Sequence, residues 1–582
     1  MNVHIVVHKG SERIVLNVEK GGVLSSALRE AGLLALPCGV GKCGKCLIYA
    51  ATEPSSEEIA VLGNEKIAKG LRLACCTKAE EGLAITLPLQ NEPEVLTAFN
   101  KLDYEYDPLI KRKKIEMSEP SLEDQRTDLQ RLLDGSGCKN YFLSGNKLAK
   151  LPYELRKNGV KYAVIENNDL IGFSDSETSY GIIVDIGTTT VAMLLINTAY
   201  QTISALGRQN AQAPFGADVI SRIHREIEWR NNGCKGDNPL QHAIISQIND
   251  LMKQMLSEHN VEDADFICFT GNTTMMHMLS GLPSEFISKA PFIPVMSCAR
   301  RLHAEYLGIR SQAVCYLMPC ISSYIGADIV ASLLAANAHY PQEPFILIDL
   351  GTNAEIVLHW ENNFLSCSAA AGPCFEGATL SCGMAGSKGA IDKVSANGQN
   401  GFIVSTIGNA EAEGICGSGI IDSAALLLDE KIIDETGRLC EADSVLSKYV
   451  HGDSFYLTEK VFISQKDIRE IQLAKAAVRA GIEVLLSEAD LRAEDIHTLY
   501  LAGGFGSSIR KESAVRIGLI PESLRDKVHV LGNGAGFGAL RYVTEAHVRE
   551  KVHELTRKMR YIELSNHAGF SNSYVEHMIF PV

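Results

Sequence analysis

The strongest constraint in this sequence is a tight group of cysteines near its N-terminus. Cys38, Cys43 and Cys46 have the spacing C-x4-C-x2-C, and an adjacent pair, Cys75 and Cys76, follows further along the chain. Three cysteines at this spacing with a distant fourth are typical of the ligands of a plant-type [2Fe–2S] cluster. The glycines between them let a tight loop turn its backbone N–H groups toward the sulfurs. The pattern therefore predicts an electron-carrying iron–sulfur centre.

A structural zinc site is the alternative explanation of the same cysteines. Such sites usually combine two C-x2-C pairs, whereas this group contains one, between Cys43 and Cys46. The spacing leaves the fourth ligand open between Cys75 and Cys76, because the two are neighbours in the sequence. A [2Fe–2S] cluster moves one electron and makes no bond to a substrate, so the rest of the chain must supply any further chemistry.

The charge and hydropathy of the chain argue against several kinds of partner. The 582 residues include 55 basic and 70 acidic ones, a net charge of −15, which disfavours binding to nucleic acid or anionic lipid. The first residues show no basic segment followed by an apolar stretch, and no later apolar run approaches the ~18 residues of a membrane span. We therefore expect a cytoplasmic protein with no nucleic-acid and no membrane partner.

Composition divides the chain into four predicted parts. Residues 1–90 contain two β-branched runs and a short helical segment, which predict a small β-grasp domain. Residues 91–129 are rich in charge and proline and include the basic run Lys111–Lys114, which predicts a solvated linker. Residues 130–179 predict a small α/β module. Residues 180–582 alternate strands and helices with glycine-rich turns, which indicates a large α/β region.

The large region contains an internal repeat. The segment DIGTT that begins at Asp185 follows a buried-type strand and recurs as DLGTN from Asp349. The segment Gly-Ala-Asp that ends at Asp218 recurs with its end at Asp328. Two repeated motifs, the first within matching strands, predict a duplicated domain.

The turns of this repeat carry groups that suit a nucleotide phosphate and its metal. Glycine lets a phosphate approach the backbone, threonine hydroxyls can donate to its oxygens, and aspartate can hold Mg²⁺ through water. Two such turns facing each other would clamp a phosphate tail, and a glycine-rich turn after Leu501 could admit an adenosine. The candidate residues are Asp185, Gly187, Thr188, Thr189, Asp349, Gly351, Thr352, Asn353, Gly503 and Gly504.

Asp218 and Asp328 each precede an apolar helical run. An aspartate at such a place either polarises water near a γ-phosphate or caps the helix, and capping is the interpretation we favour. Asp218 is nevertheless kept as a third catalytic candidate beside Asp185 and Asp349.

Two phosphate turns followed by an adenosine turn resemble the superfamily of acetate kinase, sugar kinases, heat-shock chaperones and actin. The complete chain is more particular. A plant-type ferredoxin domain, a linker and a duplicated actin-like region resemble the ATP-dependent reductive activators of corrinoid proteins over essentially the whole length. The motifs that carry this resemblance are GNTTM from Gly271, GPCFEG from Gly372 and GICGSG from Gly414.

The resemblance implies a fold and an activity. The fold is multidomain α/β, with a β-grasp ferredoxin domain and two RNase H-like halves in the ATPase region. The activity is the reduction of inactive Co(II) to Co(I) in a corrinoid protein of an anaerobic methyl-transfer system. It uses a [2Fe–2S] cluster, ATP and Mg²⁺, and a low-potential electron donor acts upstream.

The resemblance also implies further site residues. The segment Arg72–Cys75 matches the family and selects Cys75 as the fourth cluster ligand. The motif from Gly414 adds Gly417 and Gly419 as nucleotide-binding candidates. A homodimer is left open.

Three other functions are also left open. A redox-regulated small-molecule kinase of the same superfamily would need a catalytic base beside the first turn and a substrate pocket. A non-catalytic redox sensor would use the nucleotide only to set its conformation. An activator of another enzyme, such as a dehydratase, would use the same fold, but those proteins resemble this chain less because they lack the N-terminal C-x4-C-x2-C domain.

Overall fold

The computed structural model describes residues 2–9, 12–31, 33–34, 46–87, 105–157, 160–197, 202–234, 236–338, 343–398, 401–440, 442–503, 509–545 and 547–581. Cys38, Cys43 and Gly504 lie outside these residues. Within the described ranges, no helix combines the length and the apolar character needed to cross a membrane.

The N-terminal domain is a mixed five-stranded sheet with the order β2-β1-β5-β3-β4. Its first strand alternates between core and solvent, and Val3, Ile5 and Val7 are buried, as expected for a strand with one covered face. Leu24 and Leu28 of the first helix complete the core. This β-grasp arrangement confirms the predicted fold. Its elements are β1 (Asn2–Lys9), β2 (Glu12–Glu19), α1 (Leu24–Glu30), β3 (Leu47–Ala50), α2 (Ser56–Ala68), β4 (Leu71–Leu73) and β5 (Ala84–Thr86).

A small α/β module follows, with a four-stranded sheet of order β6-β8-β9-β7. Its edge strand β6 is the basic run that the sequence assigned to a solvated linker, so that prediction is wrong for these residues. The elements of the module are β6 (Ile110–Lys114), α3 (Asp128–Ser136), β7 (Asn140–Tyr141), α4 (Gly145–Lys157), β8 (Tyr162–Glu166) and β9 (Asp169–Ser174).

One buried ion pair anchors this basic run, and a second group of buried contacts fixes the end of β8. The guanidinium of Arg112 donates two hydrogen bonds of 2.9 Å to the carboxylate of Asp265, and both side chains are nearly buried. Glu166, at the end of β8, accepts hydrogen bonds from the hydroxyl of Tyr316 and from Arg549. The charges of the module therefore pair with residues of the large region that lie far away in the sequence.

The first half of the large region has a six-stranded sheet of order β12-β11-β10-β13-β15-β14. Strand β10 is antiparallel to β11 and parallel to β13. The elements of this half are β10 (Tyr180–Ile186), β11 (Thr190–Asn197), β12 (Thr202–Gln209), α5 (Val219–Asn231), α6 (Pro239–Glu258), β13 (Phe266–Gly271), α7 (Thr273–Leu279), β14 (Arg300–His303), β15 (Val314–Leu317) and α8 (Ala327–Ala335).

The second half has the sheet order β26-β25-β16-β17-β18-β27, which repeats five of these strands and places the sixth, β27, at the opposite edge. Strand β16 corresponds to β10, since it is antiparallel to the next strand and parallel to β25. The elements of this half are β16 (Phe345–Leu350), β17 (Ala354–Trp360), β18 (Asn363–Ala369), β19 (Ala390–Ala396), β20 (Phe402–Thr406), β21 (Gly414–Ile415), α9 (Gly417–Asp429), β22 (Val450–His451), β23 (Ser454–Tyr456), β24 (Phe462–Ser464), α10 (Gln465–Glu488), β25 (Thr498–Ala502), α11 (Lys511–Arg516), β26 (Val528–Gly532), α12 (Gly534–Thr544), α13 (Val548–Lys558), β27 (Met559–Tyr561) and α14 (Ala568–Glu576).

The matching sheets confirm the duplication, but only one of the two repeated motifs belongs to it. The segments from Asp185 and Asp349 end corresponding strands. In contrast, Asp218 precedes a helix that follows β12, whereas Asp328 lies in a helix that follows β15. The Gly-Ala-Asp segments therefore occupy different places in the fold. The two halves are joined where α12 packs into the core of the first half through Ala539 and Val543.

We predict that Arg112→Ala lowers the free energy of unfolding by about 3–5 kcal/mol, because it leaves the buried carboxylate of Asp265 without its partner charge. The exposed Lys114 on the same strand is the matched control, and Lys114→Ala should change it by less than about 0.5 kcal/mol. Chemical denaturation measures both variants. Equal midpoints for the two would contradict this account of the basic run.

Candidate functional site

The two predicted phosphate turns lie at corresponding positions of the two sheets. Asp185 and Asp349 are each the last residue but one of their strands, β10 and β16. Tight turns follow: the N–H of Gly187 donates to the carbonyl of Thr190 at 3.0 Å, and the N–H of Gly351 donates to that of Asn353 at 2.9 Å. Both carboxylates therefore lie where a strand ends and a hairpin turn begins.

The carboxylates of these turns repel one another electrostatically. Burial raises the pKa of Asp185 to about 8, and the charges of Asp328 and Asp349 add to the effect. Burial raises the pKa of Asp349 to about 7, with contributions from Asp328 and Glu376. Asp328 is itself a member of this group, and burial raises its pKa to about 6. The ionised forms are unfavourable beside one another in this buried cleft, so the site suits a ligand that brings positive charge.

Glu355 joins this group from the neighbouring strand. It lies directly opposite Asp349 in the register of β16 and β17, and like charges in such a pair are unfavourable. Burial raises the pKa of Glu355 well above its usual value, and the charges of Asp328 and Asp349 raise it further. Its carboxylate accepts a hydrogen bond from the hydroxyl of Ser368 at 3.1 Å. No sequence pattern indicated Glu355, because it belongs to no motif and meets the other carboxylates only through strand pairing.

Polar side chains from three other elements position the first turn. Arg222 of α5 is fully buried and donates from Nη2 to the carbonyl of Thr188 at 2.6 Å. Burial lowers the pKa of Arg222 to about 10, so it remains charged at neutral pH. Asn272, from the GNTTM motif, donates from Nδ2 to the hydroxyl of Thr188 at 3.0 Å and caps α7 with its side-chain oxygen. Asn210 donates to the carbonyl of Gly187 at 2.7 Å.

One carboxylate connects the two turns directly. Oε2 of Glu376 accepts hydrogen bonds from the hydroxyl of Thr352 at 2.8 Å and from that of Thr189 at 3.4 Å. Burial raises the pKa of Glu376, although both hydroxyls oppose the shift. Glu376 belongs to the GPCFEG motif, which the sequence identified without giving it a role.

The third predicted turn lies against the second one. Strand β25 runs parallel to β16 and brings Gly503 next to Asp349. A Cβ atom at Gly503 would lie 2.6 Å from Oδ1 of Asp349, and the backbone φ of +88° is one that favours glycine. Glycine is therefore required here. The role of Gly503 and Gly504 toward adenosine stays a prediction.

Gly417 and Gly419 begin helix α9, where both are buried. A Cβ atom at Gly419 would lie 2.2 Å from the carbonyl oxygen of Ile391 in β19, so glycine permits the close approach of helix and strand. The structure thus gives Gly419 a packing role. Nucleotide contact by these two glycines stays a prediction.

Asp218 caps helix α5. Its carboxylate accepts the N–H of Ser221 at 2.9 Å, and the hydroxyl of Ser221 accepts the N–H of Asp218 in return. This reciprocal pair is a capping box, the interpretation that the sequence favoured for Asp218. Helix capping was also the favoured interpretation of Asp328, but this residue lies among the buried carboxylates of the turns.

Two of the predicted cluster ligands are described, and they lie together. Sγ of Cys46 is 3.1 Å from Sγ of Cys75, and both side chains are buried. This separation exceeds the ~2.0 Å of a disulfide and places two thiols side by side, as shared coordination of one metal ion requires. Burial and the neighbouring Cys75 raise the pKa of Cys76 to about 11. The contact of Cys46 with Cys75 is the observation that favours Cys75 as the fourth ligand.

Four family descriptions match successive parts of the chain. Residues 6–80 match the 2Fe-2S iron-sulfur cluster binding domain. Residues 100–179 match the RACo linker region, and residues 180–340 match the RACo middle region. Residues 343–582 match the C-terminal domain of RACo, the ASKHA domain. The linker description covers the small α/β module, whose sheet begins at Ile110.

Similar proteins extend over the whole length. The solved structure of a reductive activator for corrinoid, iron-sulfur protein is 30% identical, with a TM-score of 0.73, and the match covers 99% of this chain and 98% of that one. The corrinoid activation enzyme RamQ of Eubacterium limosum is 28% identical, with 97% of each chain covered. The Co(II) methylated amine-specific corrinoid protein reductase of Methanosarcina barkeri is 24% identical over 68% of this chain and 76% of its own. This chain belongs to the RACo family of reductive activators of corrinoid proteins.

Proposed function

We propose that this protein reduces the Co(II) form of a corrinoid protein to Co(I), using a [2Fe–2S] cluster for the electron and Mg²⁺–ATP to make the transfer favourable. The observation that carries the proposal is the joining, in one chain, of a cysteine-bearing β-grasp domain to a cleft formed by two matched turns. Relatives over the whole length are named as corrinoid activators.

The residues of the N-terminal domain suit the cluster. Cys46 and Cys75 present adjacent buried thiols, and with Cys38 and Cys43 they complete the C-x4-C-x2-C pattern and its distant fourth member. When bound, the cluster supplies one electron at a time and makes no bond to cobalt. The domain itself excludes water from the two thiols, since Cys46 is 2% exposed and Cys75 is 9% exposed.

The cleft suits a nucleotide with a divalent cation. The hydroxyls of Thr189 and Thr352 face the space between the turns, where they can donate to phosphate oxygens as they now do to Glu376. Asp185 and Asp349 would orient Mg²⁺ through its water shell.

Energetics explain why an electron carrier is joined to an ATPase fold. Each ~59 mV of uphill one-electron transfer costs about 1.4 kcal/mol, and Co(I) in a corrinoid is a very strong reductant. ATP binding can shift this equilibrium only as far as the nucleotide-bound protein favours the reducible cobalt state over the resting one. We propose that the ATP-bound cleft selects a Co(II) conformation with weakened cobalt ligation, and that hydrolysis then releases the partner.

We also propose an electron donor and a location for this activity. The upstream partner is a low-potential electron donor, because only such a donor can keep the cluster reduced. The protein acts in the cytoplasm, where corrinoid methyl transfer takes place. A homodimer would be compatible with the function but is not needed for it.

The fourth cluster ligand can be tested by exchanging each neighbouring cysteine in turn. Cys75→Ala should abolish the visible absorbance of the cluster and bring iron below two atoms per chain, because a thiolate ligand is lost. Cys76→Ala should keep both, since Cys75 is the neighbour whose sulfur lies 3.1 Å from that of Cys46. Absorbance and metal analysis of the anaerobically purified variants measure this. The reverse result would exchange the two assignments, and one zinc per chain would refute the electron carrier.

The buried carboxyl groups of the cleft predict how the stability of the nucleotide-free protein depends on pH. These groups belong to Asp185, Asp328, Asp349 and Glu355. The pKa of Asp349 rises from 3.8 to about 7 on folding, so the folded state binds more protons than the unfolded state in that range and stability falls as pH rises through it. Asp349→Asn removes this effect. It should raise the denaturation midpoint, and the gain should grow between pH 4 and 7.

Denaturation of the nucleotide-free protein at pH 5 and pH 8 measures this gain. The matched control is Asp526→Asn, at a side chain that is 90% exposed, and its midpoint should hardly change at either pH. If Asp349→Asn lowers the midpoint at pH 8, the carboxylates do not repel one another as described.

The proposed function is tested by following corrinoid absorbance anaerobically with a chemical reductant, this protein and candidate corrinoid proteins. Mg²⁺–ATP should increase the fraction that reaches Co(I). Asp185→Ala should hold a reducible cluster but lose the gain from ATP, because it removes a carboxylate that orients the cation. Cys43→Ala should still hydrolyse ATP yet pass no electron, because the nucleotide site lies in another domain.

Two outcomes would contradict the proposed function. Equal yields of Co(I) with and without ATP, across several corrinoid partners, would contradict the coupling of ATP to cobalt reduction. A phosphorylated small molecule among the products would instead identify a kinase. The control is Cys440→Ala, a cysteine of the ASKHA domain, which should behave as the unmodified protein does.

A further inference from the structure

ATP hydrolysis needs a group that takes a proton from the attacking water, and the predicted candidate is already engaged. The carboxylate of Asp218 is committed to the capping box of α5. Asp185 and Asp349 are placed to orient the cation. The base must therefore be another acidic residue that reaches the space between the two turns.

We propose that Glu376 is the general base of ATP hydrolysis, an inference that rests on the proposed function. The side chain reaches both phosphate turns at once, through the hydroxyl of Thr352 at 2.8 Å and that of Thr189 at 3.4 Å. Its other oxygen, Oε1, lies 3.6 Å from the position of a Cβ at Gly351. The carboxylate thus occupies the region where the turns would hold the end of a phosphate chain.

The remaining carboxylates of the cluster are less suited to this role. Oδ1 of Asp328 accepts the N–H of Ile329 at 2.8 Å, so it is held against its own helix. Glu355 is held by Ser368 on strand β18, one strand further from the turn. Glu376 is the member of the group whose hydrogen bonds run to the turn hydroxyls themselves.

The backbone presents Glu376 rigidly. It ends a short 3-10 turn, Pro373–Glu376, whose Cys374 and Phe375 are each 1% exposed and anchor the segment in the core of the second half. Gly377 follows with a φ of +75°, and a Cβ there would lie 2.4 Å from the carbonyl of Met384. The chain can therefore turn away immediately after the carboxylate, which leaves the side chain projecting into the cleft.

The chemistry balances with water and ATP as the only reactants. The water oxygen forms a bond to the γ-phosphorus, the bond from that phosphorus to the β–γ bridging oxygen breaks, and ADP and phosphate are the products. The carboxylate of Glu376 takes the proton of the attacking water and later returns it to phosphate or solvent. Burial raises the pKa of this carboxyl group, which strengthens it as a proton acceptor.

The test compares Glu376→Gln and Glu376→Asp in the full-length protein with its corrinoid partner present. Glutamine keeps the size and the hydrogen-bond acceptor but cannot take a proton, so the rate of ATP hydrolysis should fall by about 10²–10⁴-fold. Binding of a non-hydrolysable ATP analogue, measured by calorimetry, should change by less than about threefold. Aspartate keeps the carboxylate on a shorter stem and should hydrolyse ATP faster than glutamine does.

The relative rates of ATP hydrolysis of the two variants distinguish a general base from a residue that only connects the turns by hydrogen bonds. If Glu376 only tied the turns together through hydrogen bonds, glutamine would preserve hydrolysis better than aspartate, and that order would overturn the inference. Hydrolysis by Glu376→Gln at the rate of the unmodified protein would overturn it too, as would an equal loss of binding and turnover. The control is Glu411→Gln, at a surface side chain that is 80% exposed, which should keep the full rate.

The same assay distinguishes failure of this inference from failure of the proposed function. An unmodified protein that neither binds nor hydrolyses ATP would refute the proposed function, and the inference with it. An unmodified protein that hydrolyses ATP while Glu376→Gln does so equally well would refute the inference alone. Cobalt reduction is not needed for either result.

Discussion

Repulsion between buried carboxylates is the constraint on which the cleft depends. The duplicated sheets bring Asp185 and Asp349 to the ends of corresponding strands, and Asp328 and Glu355 add charge to the same space. Such a group is unfavourable unless positive charge arrives or protons are bound. A nucleotide with its cation relieves this repulsion, because the cation neutralises the carboxylates. The phosphates at the same time accept hydrogen bonds from the hydroxyls of the turns. In this account the filled cleft is the stable one.

The small α/β module is joined to the large region through specific side-chain pairs. The small module is fixed to the first half by Arg112 and Asp265, and Glu166 receives Tyr316 from that half and Arg549 from α13. Helix α12 leaves the sheet of the second half and packs into the core of the first. Buried, directional contacts therefore hold the module and the two halves together.

Features that depend on a short stretch of sequence could be predicted from the sequence. Asp185 and Asp349 were found because each ends a strand and begins a turn, and the cysteine spacing marked the β-grasp domain. Glu355 and Glu376 were missed as members of the site, because only strand pairing and chain crossing bring them there, and Asp328 was interpreted as a helix cap. The basic run was misread because its partner, Asp265, lies far along the chain. Gly-Ala-Asp repeated in sequence but not in structure, since three residues are too few to specify a position.

The central claim is that ATP makes the cobalt of the partner protein easier to reduce. The direct measurement is a spectroelectrochemical titration of the Co(II)/Co(I) couple in the complex with the Cys43→Ala variant, so that mediators rather than a cluster deliver the electrons. The account predicts a midpoint potential at least ~59 mV higher with Mg²⁺–ATP than without nucleotide, equivalent to a tenfold preference for the reducible state. The same midpoint in both conditions would contradict it.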